Sequence, residues 1–212
     1  MLDTTYWHEK WHRNDIAFHE PKANPLLVKY FKELSLSARS RVFLPLCGKT
    51  LDISWLLAKG MKVVGAELSK LAIEQLFREL KLQPEITRFG ETEHFRAENI
   101  DIFVGDIFAL NGKTIGQVDA VYDRAALVAL SEKTRKIYTK HLLKITGKAP
   151  QLLICYDYDQ SLMDGPPFSI SEEEIEQHYK KTYQLKMLGV SAVSGGLKGI
   201  YEAVEKVWLL KK

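Results

Sequence analysis

The stretch Arg41-Val-Phe-Leu-Pro-Leu-Cys-Gly-Lys-Thr-Leu-Asp52 decides how this chain folds. Its apolar run, residues 42–47, predicts a buried strand that ends at Gly48, and a helical pattern follows over 51–59. A second apolar run then leads to an acid, Glu67. A strand, a tight turn, a helix and a second strand that ends in a carboxylate form the plan of a nucleotide-type cofactor site.

The rest of the chain continues the alternation of strand and helix. Further strands are predicted over 99–104, 118–122 and 151–156, and further helices over 25–34, 70–82, 131–143 and 172–180. Segment 86–99 alternates only weakly, which is typical of a short hairpin at a sheet edge. Two late strands, about 183–190 and 198–210, predict an antiparallel edge. The alternation predicts a mostly parallel sheet with right-handed crossovers, and 151–156, its most apolar strand, should be central.

Parallel sheets bind ligands beyond the carboxyl ends of their strands. Four of the predicted strand ends carry charge, which is more than helix capping requires. The residues expected at this edge are Leu46–Gly48, Glu67, Asp106-Ile107, Asp123-Arg124 and Asp157–Asp159.

Length and charge limit the class of protein. The chain has 212 residues, which suits a single domain over 1–212 whose residues 1–36 form a helical lid region. The formal net charge of +3 is small and dispersed, so no nucleic-acid partner is expected. The sequence has neither a signal core nor a membrane-length apolar run, and we expect a cytoplasmic protein without a membrane partner. No apolar stripe is left over for a subunit interface, which predicts a monomer.

Two cysteines, Cys47 and Cys155, both lie in apolar, strand-like runs. Cysteines in such places pack as reduced core thiols more often than they form disulfides, which also favours the cytosol. Because both are placed within strands, neither is predicted to be a catalytic nucleophile.

The N-terminal segment, residues 4–13, predicts a short helix that carries Trp7 and Trp11 on one face. These rings either cap a core or close over a flat heteroaromatic ligand. The loop that follows contains Phe18-His19, and Phe18 either lines a pocket or anchors the loop by its own burial.

The same helix contains His8-Glu9-Lys10-Trp11-His12, which matches the zinc-protease pattern H-E-x-x-H. Such a helix presents two imidazoles on one face and a glutamate as general base. Here it precedes any sheet that could frame a substrate, and no third ligand is evident. We therefore predict no metal site and keep a zinc hydrolase as a remote alternative.

The turn after the first strand disfavours phosphate-rich cofactors. A P-loop needs G-x-x-x-x-G-K-[ST], but Phe43 occupies its first position. A dinucleotide site needs G-x-G-x-x-G, whereas residues 46–50 contain one glycine. S-adenosylmethionine has no phosphate and tolerates a bulkier turn, and its ribose diol suits the two oxygens of Glu67. The alternative role for Glu67 is to cap the helix that begins after Ser69.

The other contacts of such a cofactor follow from neighbouring strand ends. Asp106 and the backbone of Ile107 are expected to hold the amino edge of adenine. The side chains of Leu46 and Ile107 would pack on its two faces.

Six short motifs in this order resemble thiopurine S-methyltransferases, particularly their bacterial form. They are Trp7-x3-Trp11, Phe18-His19, Pro45-Leu-Cys-Gly-Lys49, Val64-Gly-Ala-Glu-Leu-Ser69, Tyr122-Asp-Arg-Ala-Ala126 and Gly165-Pro-Pro-Phe168. The resemblance runs from about Trp7 to Leu209. Each motif is short, but the combination is specific.

The resemblance implies a class I methyltransferase fold: a mostly parallel seven-stranded sheet, helices on both faces, an antiparallel C-terminal edge and the N-terminal helical lid. It also implies S-adenosylmethionine as the donor and a small-molecule thiol as the acceptor. The implied cofactor residues are Trp11, Leu46, Glu67 and Arg124, with the adenine contact at Asp106-Ile107. The implied acceptor residues are Phe18, Trp7 and His19, and Arg124 also reaches the acceptor.

Arg124 is the candidate catalytic residue, since it would steer an anionic acceptor while Trp7, Trp11 and Phe18 exclude water. A thiolate acceptor needs little general-base help, so His19 as a proton acceptor is not required. Vertebrate relatives have an arginine in the late loop, where this sequence offers only Lys198. The alternatives kept are a halide, small-thiol or metalloid methyltransferase, and a binding protein without turnover.

Overall fold

The computed structural model describes residues 4–16 and 19–212, which form seven α-helices and nine strands. The helices are α1 Thr4–His12, α2 Pro25–Tyr30, α3 Asp52–Ala58, α4 Lys70–Glu79, α5 Gly112–Ile115, α6 Glu132–Ile145 and α7 Glu172–Tyr179. The strands are β1 Arg41–Leu44, β2 Lys62–Glu67, β3 Glu85–Phe89, β4 Thr92–Ala97, β5 Ile100–Val104, β6 Ala120–Arg124, β7 Gln151–Asp157, β8 Gln184–Ala192 and β9 Val204–Lys211. Every helix and strand expected from the sequence is present, although the last strand begins at Val204, six residues after its predicted start at 198.

All nine strands form one sheet in the order β3-β4-β5-β2-β1-β6-β7-β9-β8. The five strands from β5 to β7 in that order are parallel, and β9 and β8 follow as the expected antiparallel edge. The β3–β4 hairpin extends the predicted seven strands to nine. The middle position belongs to β1, so the prediction of a central 151–156 strand is wrong. Strand β7 lies between β6 and β9, and its apolar run reflects burial on both faces.

Side chains on the two faces of the sheet enter two separate cores, because successive residues of a strand point to opposite faces. Val42 and Leu44 of β1 pack in the core that α2, α3 and α4 cover. Phe43 packs in the other core, beneath α6 and α7, with the fully buried Tyr138 and Tyr179. The predicted helices on both faces are therefore confirmed.

Helix starts follow their capping residues. The Asn24 side chain accepts hydrogen bonds from the backbone N–H groups of Leu26 and Leu27, and Pro25 takes the first helical position. Ser69 caps α4 and Ser171 caps α7 in the same way. The predicted second helix is shorter than expected, since α2 changes after Tyr30 into a 3₁₀ turn over Phe31–Leu34.

Strand β1 ends at Leu44, three residues before the predicted end at Cys47. Pro45 has no N–H for a strand ladder, and Leu46 adopts the left-handed φ of 45°. Cys47 therefore lies in a turn, where its N–H donates to the Ala66 carbonyl at 3.0 Å. The apolar run continued past the strand because the turn itself is buried.

The structure contains no helix, among the residues described, that is long and apolar enough to cross a bilayer.

Candidate functional site

A cavity of about 250 Å³ opens at the carboxyl ends of β1, β2, β6 and β7, beneath α1. Its walls also include two later loops, one containing Pro166 and Pro167 and the other Leu197 and Lys198. Six of the nine predicted site residues line it: Trp7, Trp11, His19, Leu46, Glu67 and Arg124. Phe18 lies outside the residues that the structure describes.

The turn after β1 lies directly against the N-terminal helix. Gly48 has a φ of +52°, and a Cβ on it would lie 3.1 Å from the Trp11 ring. Trp11 is buried and also lines the cavity. The Trp11 ring therefore packs on the turn and forms part of the cavity wall, and its closure over a flat ligand stays a prediction.

Glu67 places a buried carboxylate at the end of β2. One oxygen accepts a hydrogen bond from Gly48 N–H and the other from Ser69 N–H, each at 2.8 Å. Burial raises the pKa of this carboxyl, although the N–H groups of Ser69, Gly48 and Leu68 oppose the shift. A carboxylate has about four acceptor positions, so acceptor capacity remains for the hydroxyls of a ligand.

Arg124 places a buried cation at the end of β6. Its side chain is 8% exposed and forms an ion pair with Glu20. The Nε atom is buried and has no hydrogen-bond partner within 4–16 and 19–212. Burial alone would lower the pKa of the guanidinium, but Tyr122, Glu20 and Tyr156 raise it, so Arg124 remains a cation.

Sequence reasoning missed a polar bridge in the cavity wall. The Tyr122 hydroxyl donates to Asp52 Oδ2 at 2.9 Å, and Asn24 N–H donates to Asp52 Oδ1 at 2.7 Å. Asp52 is 1% exposed, and it ties the start of α2 to α3 and β6. An acid one residue past an apolar turn looks like an ordinary first-turn helix residue, so the sequence contains no signal for this role.

Asp123 points away from the cavity, as alternation along β6 requires. It accepts hydrogen bonds from the Tyr138 hydroxyl at 2.6 Å and from Leu127 N–H at 3.1 Å. Burial raises its pKa to about 6. Of the predicted pair Asp123-Arg124, only the arginine lines the cavity.

Asp157 at the end of β7 and Asp159 just after it are not among the described residues that line the cavity. Asp157 pairs with Lys206 at 2.5 Å, and Asp159 accepts from Ser161 N–H at 3.0 Å. Tyr156, Pro166 and Pro167 line the cavity in their place.

The loop that carries these prolines is fixed to its neighbours. Phe168 N–H donates to the Val128 carbonyl at 2.7 Å, and the Arg135 guanidinium lies 5.6 Å from the centre of the Phe168 ring.

Asp106 and Ile107 are not among the described residues that line the cavity. Asp106 caps a 3₁₀ turn by accepting from Phe108 N–H at 2.9 Å, and Ile107 is 1% exposed in the core. Their contact with an adenine ring stays a prediction.

Besides Arg124, four residues bring ionisable nitrogens to the cavity: Lys10, His19, Lys49 and Lys198. Burial and the charge of Lys49 lower the pKa of His19, which is therefore neutral at pH 7. Lys198 belongs to the late loop whose role the sequence left open.

Cys47 also lines the cavity, because it lies in the turn rather than in a strand as expected. Burial, followed by the nearby charge of Glu67, raises the pKa of its thiol well above the ordinary value. A thiol of this kind stays protonated and is a poor nucleophile. Cys155 is buried in β7, and neither cysteine forms a disulfide, as predicted.

The side chains of the H-E-x-x-H pattern lie on the exposed side of α1. Glu9 pairs with Arg13 at 3.3 Å, and His12 Nδ1 lies 2.8 Å from the His8 carbonyl. Within the described ranges, no three His, Cys, Asp or Glu residues are grouped to hold a metal ion.

The donor set fits S-adenosylmethionine. Glu67 has acceptor positions free for a ribose diol, and Gly48 lets the turn pack directly against the Trp11 ring of the cavity wall. The Arg124 Nε–H group has no hydrogen-bond partner among the described residues, and the cavity walls between these residues are mostly apolar.

A family model described as thiopurine S-methyltransferase matches residues 2–212. The thiopurine S-methyltransferase of Xanthobacter autotrophicus is 51% identical over 212 residues, which cover 100% of both chains. That of Teredinibacter turnerae is 46% identical over 211 residues, covering 100% of this chain and 98% of the relative.

Solved structures show the same fold at low identity. A methyltransferase from Anabaena variabilis, described as SAM-dependent, superposes with a TM-score of 0.65 at 16% identity, covering 100% of this chain and 95% of its own. The 1,6-didemethyltoxoflavin-N1-methyltransferase of Burkholderia thailandensis, solved with its substrate and S-adenosylhomocysteine, gives 0.67 at 12% identity, covering 99% and 87%.

Proposed function

This chain belongs to the thiopurine S-methyltransferase family and is an S-adenosylmethionine-dependent S-methyltransferase, and from that premise we propose which residues bind the donor and the acceptor. We propose that the acceptor is an aromatic or heterocyclic thiol such as a thiopurine. The observation that carries the proposal is one apolar cavity with the Glu67 carboxylate and the Arg124 guanidinium in its wall.

Glu67, Gly48 and Trp11 form the proposed donor site. The backbone N–H groups of Gly48 and Ser69 hold the Glu67 carboxylate in place, so its remaining lone pairs are oriented before a ligand arrives. Leu46 and Trp11 add apolar surface next to it. S-adenosylmethionine supplies a methyl group that its positively charged sulfur has already activated.

Arg124 is the proposed acceptor residue. A cation of 8% exposure attracts an anion more strongly than a solvated one, because less water screens it. Tyr156, Pro166 and Pro167 supply a flat apolar wall against which a ring can pack. Arg124 would hold an anionic thiol so that its sulfur lies in line with the methyl group.

Proximity and orientation account for most of the proposed rate enhancement, which can correspond to effective molarities of about 10⁵ M or more. A thiolate is already the nucleophile, so proton removal is not needed when the acceptor is ionised. For an acceptor that arrives as a thiol, the neutral His19 at the cavity is available to take the proton.

Two measurements test the proposal. Calorimetry with S-adenosylmethionine and S-adenosylhomocysteine tests the donor site, and absence of binding to either would refute it. Methyl transfer measured by mass spectrometry across aromatic thiols, aliphatic thiols and iodide tests the acceptor class. Preferred turnover of iodide or small thiols would reassign the acceptor while keeping the donor.

Arg124→Ala tests the acceptor role directly. We expect turnover of anionic thiols to fall by more than the affinity for S-adenosylhomocysteine, because Glu67 still binds the donor although Arg124 is also an expected donor contact. Full activity of the variant with anionic thiols would remove Arg124 from the acceptor site.

A further inference from the structure

Glu20 forms an ion pair with Arg124, the same cation that the proposed acceptor needs. Glu20 lies 104 residues before Arg124, on the loop between α1 and α2 and directly after the cavity residue His19. The Glu20 side chain is 35% exposed, whereas that of Arg124 is 8% exposed. The anion of this pair is therefore partly solvated, and the cation is not.

Arg124 needs an anion whether or not a ligand is bound. A buried guanidinium without a counter-charge is strongly unfavourable, and Glu20 supplies that charge in the free protein. Because Nε has no hydrogen-bond partner among the described residues, Glu20 does not satisfy every donor of the guanidinium. An acceptor that approaches from the cavity thus meets a cation that is only partly satisfied.

A second acid, Glu205, interacts with the same guanidinium. Glu205 lies on β9, opposite Tyr156 of β7. Burial raises the pKa of Glu205, Arg124 lowers it, and Glu20 raises it further, so all three groups interact. Because burial raises the pKa of Glu205, Glu20 is the carboxylate that pairs with Arg124, and a second negative charge on the acceptor has to share the guanidinium with Glu20.

We propose that Glu20 is a specificity-determining residue that competes with the acceptor for Arg124 and disfavours acceptors carrying additional negative charge. This inference rests on the proposed acceptor role of Arg124. An aromatic thiolate with a single negative charge is accepted. When the same ring also carries a carboxylate, that carboxylate competes with Glu20 for Arg124.

The experiment compares Glu20→Gln with the unchanged protein on two matched acceptors: an aromatic thiol that carries a carboxylate, and its methyl ester. Glutamine keeps the size and a hydrogen-bond acceptor but removes the charge. We expect the KM of the carboxylate-bearing thiol to fall about fivefold to tenfold relative to that of the ester, with kcat unchanged. Glu20→Asp, which retains the charge, should restore the original ratio of the two KM values.

A binding measurement separates competition for Arg124 from misfolding of the variant or misplacement of the Arg124 side chain. Calorimetry of the carboxylate-bearing S-methylated product with the S-adenosylhomocysteine complex should show tighter binding for Glu20→Gln. Glu9→Gln is the matched control, because it removes one exposed carboxylate of α1 that pairs only with the neighbouring Arg13 in the ion pairs described. S-adenosylhomocysteine affinity should stay within about twofold in all variants, since no donor contact changes.

Each outcome decides one question. If Glu20→Gln raises KM for both acceptors equally, Glu20 positions Arg124, and competition between Glu20 and the acceptor is refuted. Any other result that leaves the ratio of the two KM values unchanged refutes this competition as well. If neither acceptor is methylated by the unchanged protein, the proposed acceptor class fails, and the product-binding comparison then tests the competition separately.

Discussion

At the scale of single residues, the proposed donor site depends chiefly on the Glu67 carboxylate and the Gly48 backbone. They were recognisable in the sequence, because an acid at the end of a second strand and a lone glycine in the first turn are local features. Their mutual hydrogen bond at 2.8 Å was not recognisable, since it joins residues 19 apart across two strands.

Glu67→Ala should lower the affinity for S-adenosylhomocysteine by about 1.5–3 kcal/mol, the range for hydrogen bonds to a charged group. Isothermal titration calorimetry measures the change. Glu74→Ala, an exposed position on α4, is the control and should leave affinity unchanged. An unaltered affinity of the Glu67 variant would make that carboxylate purely a cap for Ser69 and the turn.

Gly48→Ala tests the contact with Trp11, and Gly60→Ala is its matched control. Both glycines have left-handed φ angles, +52° and +76°, so alanine costs each about 1–2 kcal/mol of unfolding free energy. The Cβ at Gly60 meets nothing within 4 Å, whereas at Gly48 it crowds the Trp11 ring at 3.1 Å.

Chemical denaturation and calorimetry of both glycine variants separate the two effects. Similar losses of stability are expected from the shared φ strain, but only Gly48→Ala should weaken S-adenosylhomocysteine binding. Equal binding by both variants would contradict the role of the Gly48–Trp11 surface in the cofactor site.

At the scale of elements, α6 and α7 are joined by a partly buried ion pair behind the loop that carries Pro166 and Pro167. Arg135 donates from Nε and Nη2 to the two oxygens of Glu174, at 2.6 and 2.9 Å, and from Nη1 to the Leu130 carbonyl. The same guanidinium lies over Phe168, so this ion pair also supports the loop that presents Pro166 and Pro167.

Glu174→Gln should destabilise the protein in a pH-dependent way. Burial alone would raise the pKa of Glu174, but hydrogen bonds from His178 and Arg135 lower it to about 2, below the ordinary 4.5. The carboxylate therefore stabilises the fold fully above about pH 4.5, and this contribution is lost as pH falls toward about 2. At pH 7 we expect a loss of about 1–3 kcal/mol, reduced for partial solvent exposure.

Urea denaturation of the unchanged protein and of Glu174→Gln, followed from neutral to acidic pH, measures this difference. Glu176→Gln is the control, because its pair with Lys180 on the same helix is exposed and contributes about 1 kcal/mol or less. A difference that grows as the pH falls would show the opposite sign and contradict the assignment.

At the scale of the whole molecule, we predict a monomer. The large exposed apolar side chains are spread over separate elements: Val28, Ile86, Phe89, Ile137, Leu162, Val190 and Ile200. Light scattering after size exclusion should give a mass near 24.3 kDa. Edge strand β3 carries two of these side chains, Ile86 and Phe89, and a dimer abolished by Phe89→Lys would contradict the prediction.

The sequence by itself determined the order and type of nearly every helix and strand, because periodicity and capping are local. It also determined the acid Glu67 at the end of the second strand and the N-terminal helix that carries Trp7 and Trp11. The late edge was equally readable, since Ser194-Gly195-Gly196 separates two apolar runs. Local sequence patterns were sufficient to predict those features that depend on a single segment of the chain.

Only the tertiary structure decided which charges meet. It paired Arg124 with Glu20 and Tyr122 with Asp52, residues 104 and 70 positions apart. It turned Asp123 into the core and brought Cys47 to the cavity. These outcomes depend on the strand order and on which face each side chain takes. That order arises from burying both faces of the whole sheet at once, which no single segment encodes.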